Sequence, residues 1–280
     1  MLFGTHISAA GGVDKAPLNA HKFLCECYQF FSRSPQGGKA PELTTEVIQK
    51  FKANNKKYNF KDFYIHAPYY INLASLDNKI YYGSVGVLKE ELERGSVLGA
   101  QYLMTHLGSA KEMETTLAIK KVAQGIEKIL TGYGGKTEFL IEISAGAGKI
   151  MGDSFEEIKL ILDNINLAAS KKIGICFDTA HAFASGYDLR DKKAVSQVLN
   201  LFDKTIGLKK LKLIHLNDSK AGLSSHTDRH AHLGDGQIGL AGFKALIEDK
   251  RLQKINYILE TPTEAGMLKD IMWLKKMRDA

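Results

Sequence analysis

A (β/α)₈ barrel is the fold class that this sequence predicts, and three observations point to it. The chain has 280 residues, and a single barrel of this kind typically needs about 250. Short apolar runs alternate with longer stretches of helical periodicity along the whole chain. Several of the short runs are nearly continuous in apolar character, such as LKLIHL at 211–216, which is typical of parallel strands covered on both faces. Eight βα units joined by right-handed crossovers close most simply into a barrel.

Each predicted strand is a short run rich in β-branched, aromatic and aliphatic residues. The predicted strands are Leu2–Ile7, Tyr28–Ser32, Asp62–His66, Tyr102–His106, Phe139–Ser144, Gly174–Asp178, Leu211–Leu216 and Tyr257–Glu260. The predicted helices cover residues 14–22, 43–56, 80–98, 111–132, 154–170, 191–206, 239–249 and 264–278. No linker or low-complexity segment interrupts this alternation, so we predict a single domain over residues 1–280.

Composition and charge narrow the class of protein without deciding it. Hydrophobic residues make up 44% of the chain and charged residues 25%, which is ordinary for a globular protein. The net charge of +7 favours a polyanionic partner, although surface charge that serves solubility explains it equally well.

The number of cysteines and the length of the apolar runs indicate the cellular compartment in which the protein is expected. Three cysteines in 280 residues imply no disulfide framework, and Cys25-Glu26-Cys27 falls beside a predicted strand, where packing explains it. The N-terminal MLFGTHISAAGG lacks the features of a signal peptide. No apolar run approaches the roughly 18 residues of a membrane span. We therefore expect a cytoplasmic protein with no membrane association.

Side chains that can bind metal stand at the ends of successive predicted strands. The carboxyl ends of parallel barrel strands converge on one face, where active sites form. The loop after the seventh strand, 218–239, adds two more such residues, and loops of this length in compact domains are usually functional or disordered. The candidates are His66, His106, Glu142, Asp178, His181, His215, Asp228, His230 and Glu260.

A structural hydrogen-bond network is the alternative explanation for this set. A lone histidine at a strand end is more often structural than a ligand, but Glu142 and Glu260 lie within apolar strands. Carboxylates are almost never fully buried unless they are paired or bound to metal. Metal-binding residue types at six successive strand ends therefore favour a metal centre over a structural network.

Nine ligand-type groups exceed the needs of one ion, because a catalytic zinc typically takes three protein ligands and water. The set therefore predicts two or three ions. Its many imidazoles favour Zn²⁺, or Mn²⁺ or Fe²⁺, over Mg²⁺ and Ca²⁺. Clustered ions suit phosphoryl displacement. Rival motifs are incomplete, because Ser144-Ala145-Gly146 lacks the frame of a nucleophile elbow and the nearby glycines lack a dinucleotide fingerprint.

Several ordered motifs then carry a family resemblance over nearly the whole chain. They are GTHISAAGG at 4–12, HAPYYINLA at 66–74, HLGS at 106–109, IEISAG at 141–146, FDTAHAFASGYD at 177–188, HLNDSK at 215–220, DRHAHLGDG at 228–236 and LETP at 259–262. In these motifs the sequence resembles the endonuclease IV family of metal-dependent apurinic/apyrimidinic endonucleases.

The resemblance implies a trinuclear zinc site and a substrate. It implies cleavage of double-stranded DNA 5′ to an abasic site, leaving a 3′-hydroxyl, with Glu142 both bridging two ions and orienting the attacking water. We expect a monomer. The implied ligand sets are His66, His106 and Glu142 for one ion, Glu142, Asp178, His215 and Glu260 for a second, and His181, Asp228 and His230 for the third.

The segments expected to contact DNA depart from the family pattern. Gln36 stands where the family commonly has an arginine, and the loop after the third strand carries an extra aromatic residue. We therefore predict that Tyr69 and Tyr70 provide most of the wedge that enters the base stack. The predicted DNA contacts are Tyr69, Tyr70, Arg33, Gln36 and Arg229, with phosphate contacts also considered for His226 and His232. His6 lies near the site but is not assigned as a ligand.

Two other functions compete with this hypothesis. A sugar isomerase or epimerase on a related barrel also places carboxylates and histidines at strand ends, but it has no evident use for Asp228 and His230. A zinc-stabilised nucleic-acid-binding protein would bind DNA without turnover. Ligands that line an open barrel mouth resemble a catalytic site more than a closed structural one.

Overall fold

The computed structural model describes residues 1–111, 113–170 and 172–279, and within them eight parallel strands close into a barrel. Around the barrel, each strand pairs with the next along the chain, and the last pairs with the first. The barrel strands are β1 (Phe3–Ile7), β2 (Cys27–Phe30), β3 (Phe63–His66), β4 (Tyr102–Thr105), β5 (Glu138–Glu142), β6 (Ile173–Asp178), β7 (Leu211–His215) and β10 (Asn256–Leu259). The predicted fold class is confirmed.

Helices surround the barrel, and a small antiparallel pair of strands lies in the loop after β7. The helices are α1 (Ala16–Lys22), α2 (Thr45–Lys57), α3 (Asn78–Leu98), α4 (Thr115–Leu130), α5 (Phe155–Asp163), α6 (Leu167–Ser170), α7 (Thr179–Ala184), α8 (Lys192–Thr205), α9 (Gly239–Glu248) and α10 (Glu264–Arg278). The additional strands are β8 (Asp218–Ser219) and β9 (His230–Ala231). Among the described residues, no helix combines the length and the apolarity needed to span a bilayer.

Two separate apolar clusters stabilise the fold. The larger cluster lies between the strands and the surrounding helices. The smaller one fills the barrel interior, because side chains at every second position of a strand point to the same side. Its buried members are Cys27, Tyr64, Met104, Leu140, Cys176, Leu213 and Ile258. Cys27, from the C-x-C segment, is therefore a packing residue.

The helix predicted over 154–170 is wrong as a single element, because the structure breaks it after Asp163. Asn164 donates its amide to the carbonyl of Leu160, and Asn166 accepts a bond from the backbone N–H of Ala169. Asparagine side chains that bond to nearby backbone in this way compete with helix continuation.

Two further differences concern helix starts. The helix predicted over 111–132 begins at Thr115, where Glu114 accepts the N–H of Leu117; Glu112, within that predicted range, lies outside the described residues. Helix α7 follows β6 with no intervening loop and was not predicted. Asp178 caps it by accepting the N–H of His181, so one carboxylate both ends a strand and starts a helix.

Candidate metal centre

The candidate ligands on the strands form one layer at the carboxyl end of the barrel. Each lies two positions after a residue of the interior cluster, so its side chain points into the same space one layer higher. These pairs are Tyr64 and His66, Met104 and His106, Leu140 and Glu142, Cys176 and Asp178, Leu213 and His215, and Ile258 and Glu260.

The structure brings all nine predicted ligand residues together. Eight of them form three overlapping groups in which the ligand atoms lie within 4.8 Å of one another. The groups are His66, His106 and Glu142; then Glu142, Asp178, His215 and Glu260; then Asp178, His181 and His230. Asp228 joins the third group, because its carboxylate oxygens lie 3.3 Å from Nε2 of His181 and 3.3 Å from Nε2 of His230. Glu142 links the first two groups, and Asp178 links the second and third.

The third group consists of electron-pair donors that face one another. Nδ1 of His181 donates to the carbonyl of Ile143, and Nδ1 of His230 donates to that of Glu260. Each neutral ring then presents a lone pair at Nε2, yet these two nitrogens lie 3.3 Å apart. The Asp228 carboxylate faces the same point. Such an arrangement is unfavourable unless a positive charge lies between the donors, either a metal ion or a proton on His181. Burial alone would lower the pKa of His181, but the charges of Asp178 and Asp228 outweigh the effect of burial and raise that pKa to about 10.

His66 and Glu142 repeat this arrangement at the first group. Nδ1 of His66 lies 2.6 Å from the carbonyl of Ala67 and donates to it, and its Nε2 lies 3.0 Å from Oε2 of Glu142. Ligand histidines in metalloproteins are typically held through their other ring nitrogen in this way. The residues present therefore fit a cluster of borderline divalent cations such as Zn²⁺.

The site carries ionised carboxylates despite its burial. Burial alone would raise the pKa of Glu142, but when no metal ion is bound the charges of protonated His106 and His215 and hydrogen bonds from His215 and His66 hold it well below its usual value. Bound cations would take the place of these protons and leave the rings neutral. Partial burial likewise opposes ionisation of Asp228, and the hydrogen bond that protonated His181 donates from Nε2 lowers the pKa of Asp228 to about 2. Both carboxylates are therefore ionised at neutral pH, as metal ligands must be.

Comparisons with known proteins agree with this geometry. A family model described as a xylose isomerase-like TIM barrel matches residues 19–277. The chain is 39% identical to the probable endonuclease 4 of Halothermothrix orenii over 278 residues, which cover 99% of each chain. The chain belongs to the endonuclease IV family.

Solved structures place the chain within the same family and a wider fold class. The crystal structure of endonuclease IV from Thermus thermophilus superposes with a TM-score of 0.86 at 31% identity, covering 99% of both chains. A D-tagatose 3-epimerase-like protein superposes with a TM-score of 0.75 at 18% identity, covering 100% of this chain and 97% of that one. The second likeness reflects the fold alone.

Three polar residues support the candidate metal ligands and were not predicted. Gln29 lies on β2, fully buried, and contacts His215 and Glu260. Asn217 donates to Oδ2 of Asp178 at 2.7 Å and accepts the backbone N–H of Glu260 at 2.7 Å. Gln29 lies two positions after Cys27 on the same strand. This two-residue periodicity was the signal from which its inward orientation could have been predicted.

Asp218, the third of these residues, organises the long loop after β7. Its carboxylate is fully buried and accepts backbone N–H groups of Gly234, Gly236 and Ile238 at 2.9–3.1 Å. A Cβ at Gly236 would lie 2.4 Å from Oδ1 of Asp218, so the loop needs glycine there. The loop is thereby fixed in the position that brings Asp228 and His230 to the site.

The predicted wedge tyrosines lie beside the metal centre. Tyr69 is 68% exposed and Tyr70 38%, and the ring of Tyr69 packs edge-on against Phe31. Tyr69 and the exposed Arg229 line a cavity of about 540 Å³ together with ligand histidines. Gln36 is exposed on the loop after β2.

Arg33 is placed differently from the prediction that it contacts DNA. Its side chain is buried, with Nη2 2.5 Å from Glu90 and Nε 2.7 Å from Glu91. These two acids lie on α3, far from β2 in sequence, so only the folded chain shows the pairing. In this structure Arg33 anchors the loop after β2 to α3 rather than presenting its charge to a ligand.

The structure also places the other three histidines considered in the sequence analysis. His232 uses both ring nitrogens, at 2.8 Å from Asp270 and 2.9 Å from the hydroxyl of Thr263, so neither is free for the phosphate contact considered for it. His226 is exposed, and its backbone N–H bonds to Ala184. His6 faces Gln29 and Glu260 at the edge of the centre.

Proposed function

We propose that this chain hydrolyses the phosphodiester bond 5′ to an abasic site in double-stranded DNA and leaves a 3′-hydroxyl. The single observation that carries the proposal is the fully buried Glu142, whose two oxygens face two ligand groups and which contacts His66 and His106 of the cavity lining. Membership of the endonuclease IV family supports the abasic substrate, since both the curated relative and the solved structure carry that name.

Three zinc ions would be held by the nine residues of the three groups, with Glu142 shared by the first two. Mn²⁺ or Fe²⁺ is compatible with the same donors. When bound, such ions lower the pKa of a coordinated water and stabilise charge on the attacking and leaving oxygens. Glu142 accepts a hydrogen bond from the attacking water and orients it toward phosphorus.

The surroundings of the site bind and orient DNA. Arg229 places a positive charge at the rim of the cavity, where a phosphate would pass, and the net charge of +7 favours a polyanion. Tyr69 offers an aromatic face that can fill the gap left by an extruded nucleotide. We further infer a monomeric, cytoplasmic enzyme, for which the three free cysteines are suitable.

A sugar epimerase activity is less well supported. The epimerase-like structure shares 18% identity. A likeness at that level supports a common fold but not a common reaction. The group formed by His181, Asp228 and His230 gives a nuclease a further cation near the scissile phosphate, whereas proton transfer on a sugar has no evident need for it.

An incision assay tests the proposal. A duplex with one central abasic site is incubated with zinc-loaded protein, with exhaustively demetallated protein, and with demetallated protein to which zinc is restored. We expect incision 5′ to the lesion, with a 3′ end that a polymerase extends, in the first and third samples. Full incision by protein shown to be metal-free by elemental analysis would refute the metal mechanism, and no incision by zinc-loaded protein would refute the substrate.

A further inference from the structure

Gln29 is a fully buried amide in the middle of an otherwise apolar strand. Burial of an amide without hydrogen bonds costs several kcal/mol, so its partners must compensate for the lost water. Its partners are three side chains of the metal centre and its edge: His215, Glu260 and His6. An amide placed only for packing on the barrel strand would have no reason to meet such partners.

The partners fix which way the amide points. Nε2 of Gln29 lies 2.7 Å from Oε1 of Glu260 and 2.9 Å from Nδ1 of His6, and Oε1 lies 2.8 Å from Nε2 of His215. If the amide were flipped, its oxygen would face the Glu260 carboxylate, and two acceptors would oppose each other. The amide therefore donates to Glu260 and accepts from His215.

This orientation selects the tautomer of His215. Because Oε1 of Gln29 can only accept, the neutral imidazole, which is the form that binds a metal ion, carries its proton on Nε2 and its lone pair on Nδ1. That nitrogen lies 3.0 Å from Glu142 and 3.4 Å from Glu260, at the centre of the second ligand group. The situation is reversed at His66, His181 and His230, where Nδ1 contacts a backbone carbonyl and Nε2 faces the site.

We propose that Gln29 is a positioning residue that prepares the central ligand group for its metal ion, by holding His215 as the Nε2–H tautomer and the Glu260 carboxylate in place. The inference rests on the proposed metal centre and names a residue outside the motifs that carry the family resemblance. It differs from a structural role, because a purely structural amide would alter the stability of the fold and leave metal affinity unchanged.

Two substitutions separate the two contacts. Gln29→Met keeps the length of the side chain and removes both the acceptor for His215 and the donor for Glu260. Gln29→Glu keeps an acceptor for His215 but places a second carboxylate against Glu260. Asn55→Ala is the matched control, since Asn55 is a buried amide that bonds Tyr28 and Phe51 outside the site.

The experiment measures zinc alone, on the full chain and without DNA. Zinc content per chain is determined by elemental analysis after dialysis against graded chelator. Ring-nitrogen NMR of demetallated ¹⁵N-histidine protein, at a pH where His215 is neutral, reports the tautomer of His215 and is assigned with a His215→Gln spectrum. We expect both Gln29 variants to bind the weakest-held zinc about 10- to 100-fold less tightly, which is the usual effect of losing a group that orients a ligand. The Nε2–H signature of His215 should persist in Gln29→Glu and be lost in Gln29→Met, while Asn55→Ala keeps parental zinc affinity.

Parental zinc affinity in both Gln29 variants, or a parental His215 signature in Gln29→Met, would overturn the inference. If Gln29→Met does not fold, the zinc affinity of Gln29→Glu tests the contact with Glu260 alone. Reduced affinity supports that contact, and parental affinity contradicts it. A parent protein that binds zinc but does not incise abasic DNA would refute the proposed function and leave the role of Gln29 standing, so the two failures are distinguishable.

Discussion

At the scale of single residues, Glu142 is the most constrained side chain of the centre. Its carboxylate is fully buried, with Oε2 3.0 Å from Nε2 of His66 and Oε1 3.0 Å from Nδ1 of His215. The neighbouring histidines keep its pKa low despite the burial. A carboxylate in this position can bridge cations and accept a hydrogen bond from water, and a neutral amide lacks the negative charge needed to bridge them.

We therefore expect Glu142→Gln to lower kcat for abasic-site incision by at least about 10²-fold, the low end of the usual effect of losing an acid–base group. The amide preserves the shape of the side chain, so the melting temperature and the Kd for abasic duplex should change little. Single-turnover incision and binding by fluorescence anisotropy measure both. Glu138→Gln, at the exposed start of the same strand, is the control, and a near-parental kcat in Glu142→Gln would remove this residue from the mechanism.

Recognition also has a residue-scale prediction. Stacking of a base on an aromatic ring contributes about 1–3 kcal/mol, so Tyr69→Ala should weaken binding to abasic duplex about 5- to 150-fold, with much less effect on undamaged duplex. Tyr82→Ala, an exposed tyrosine on α3, is the matched control, and Gln36→Ala should barely change either affinity. Equal losses on damaged and undamaged DNA for Tyr69→Ala, or a larger loss for Gln36→Ala, would place the wedge elsewhere.

At the scale of elements, two kinds of support hold the ligands. Barrel strands carry His66, Glu142, Asp178 and His215, whose positions are fixed by the closed sheet. Asp228 and His230 instead belong to the loop that Asp218 organises through backbone N–H groups. Asp228 and His230 of the third ligand group therefore depend for their positions on the Asp218 carboxylate, which is buried and does not itself face the centre.

Asp228→Ala should consequently remove one zinc ion per chain and leave the strand-borne groups loaded. Elemental analysis after dialysis against a weak chelator measures the stoichiometry. Asp235→Ala, an exposed acid of the same loop, should keep the parental zinc content. The same zinc content in Asp228→Ala as in the parent would show that Asp228 is not needed to hold the third ion.

At the scale of the whole molecule, the sequence predicts the features that arise from periodicity and misses those that depend on distant partners. The eight barrel strands are predictable because parallel strands leave nearly continuous apolar runs, and their ends reveal the ligand-type residues. The burial of Arg33 could not be predicted, since it depends on Glu90 and Glu91 of another element. The strand period places Gln29 in the barrel interior, but its contact with His215, 186 residues away, could not be predicted. Helix α7 and the break at Asn164 arise from side-chain bonds to local backbone, for which residue identity is a weak guide.

The central claim is that one barrel face holds three metal ions in three named groups, and anomalous diffraction tests it most directly. Crystals of the zinc-loaded protein are measured on both sides of the zinc absorption edge. We predict three edge-dependent peaks: one among His66, His106 and Glu142, a second at His215 and Glu260, and a third at His181, Asp228 and His230. Fewer than three peaks in fully loaded protein, or peaks away from these residues, would contradict the claim.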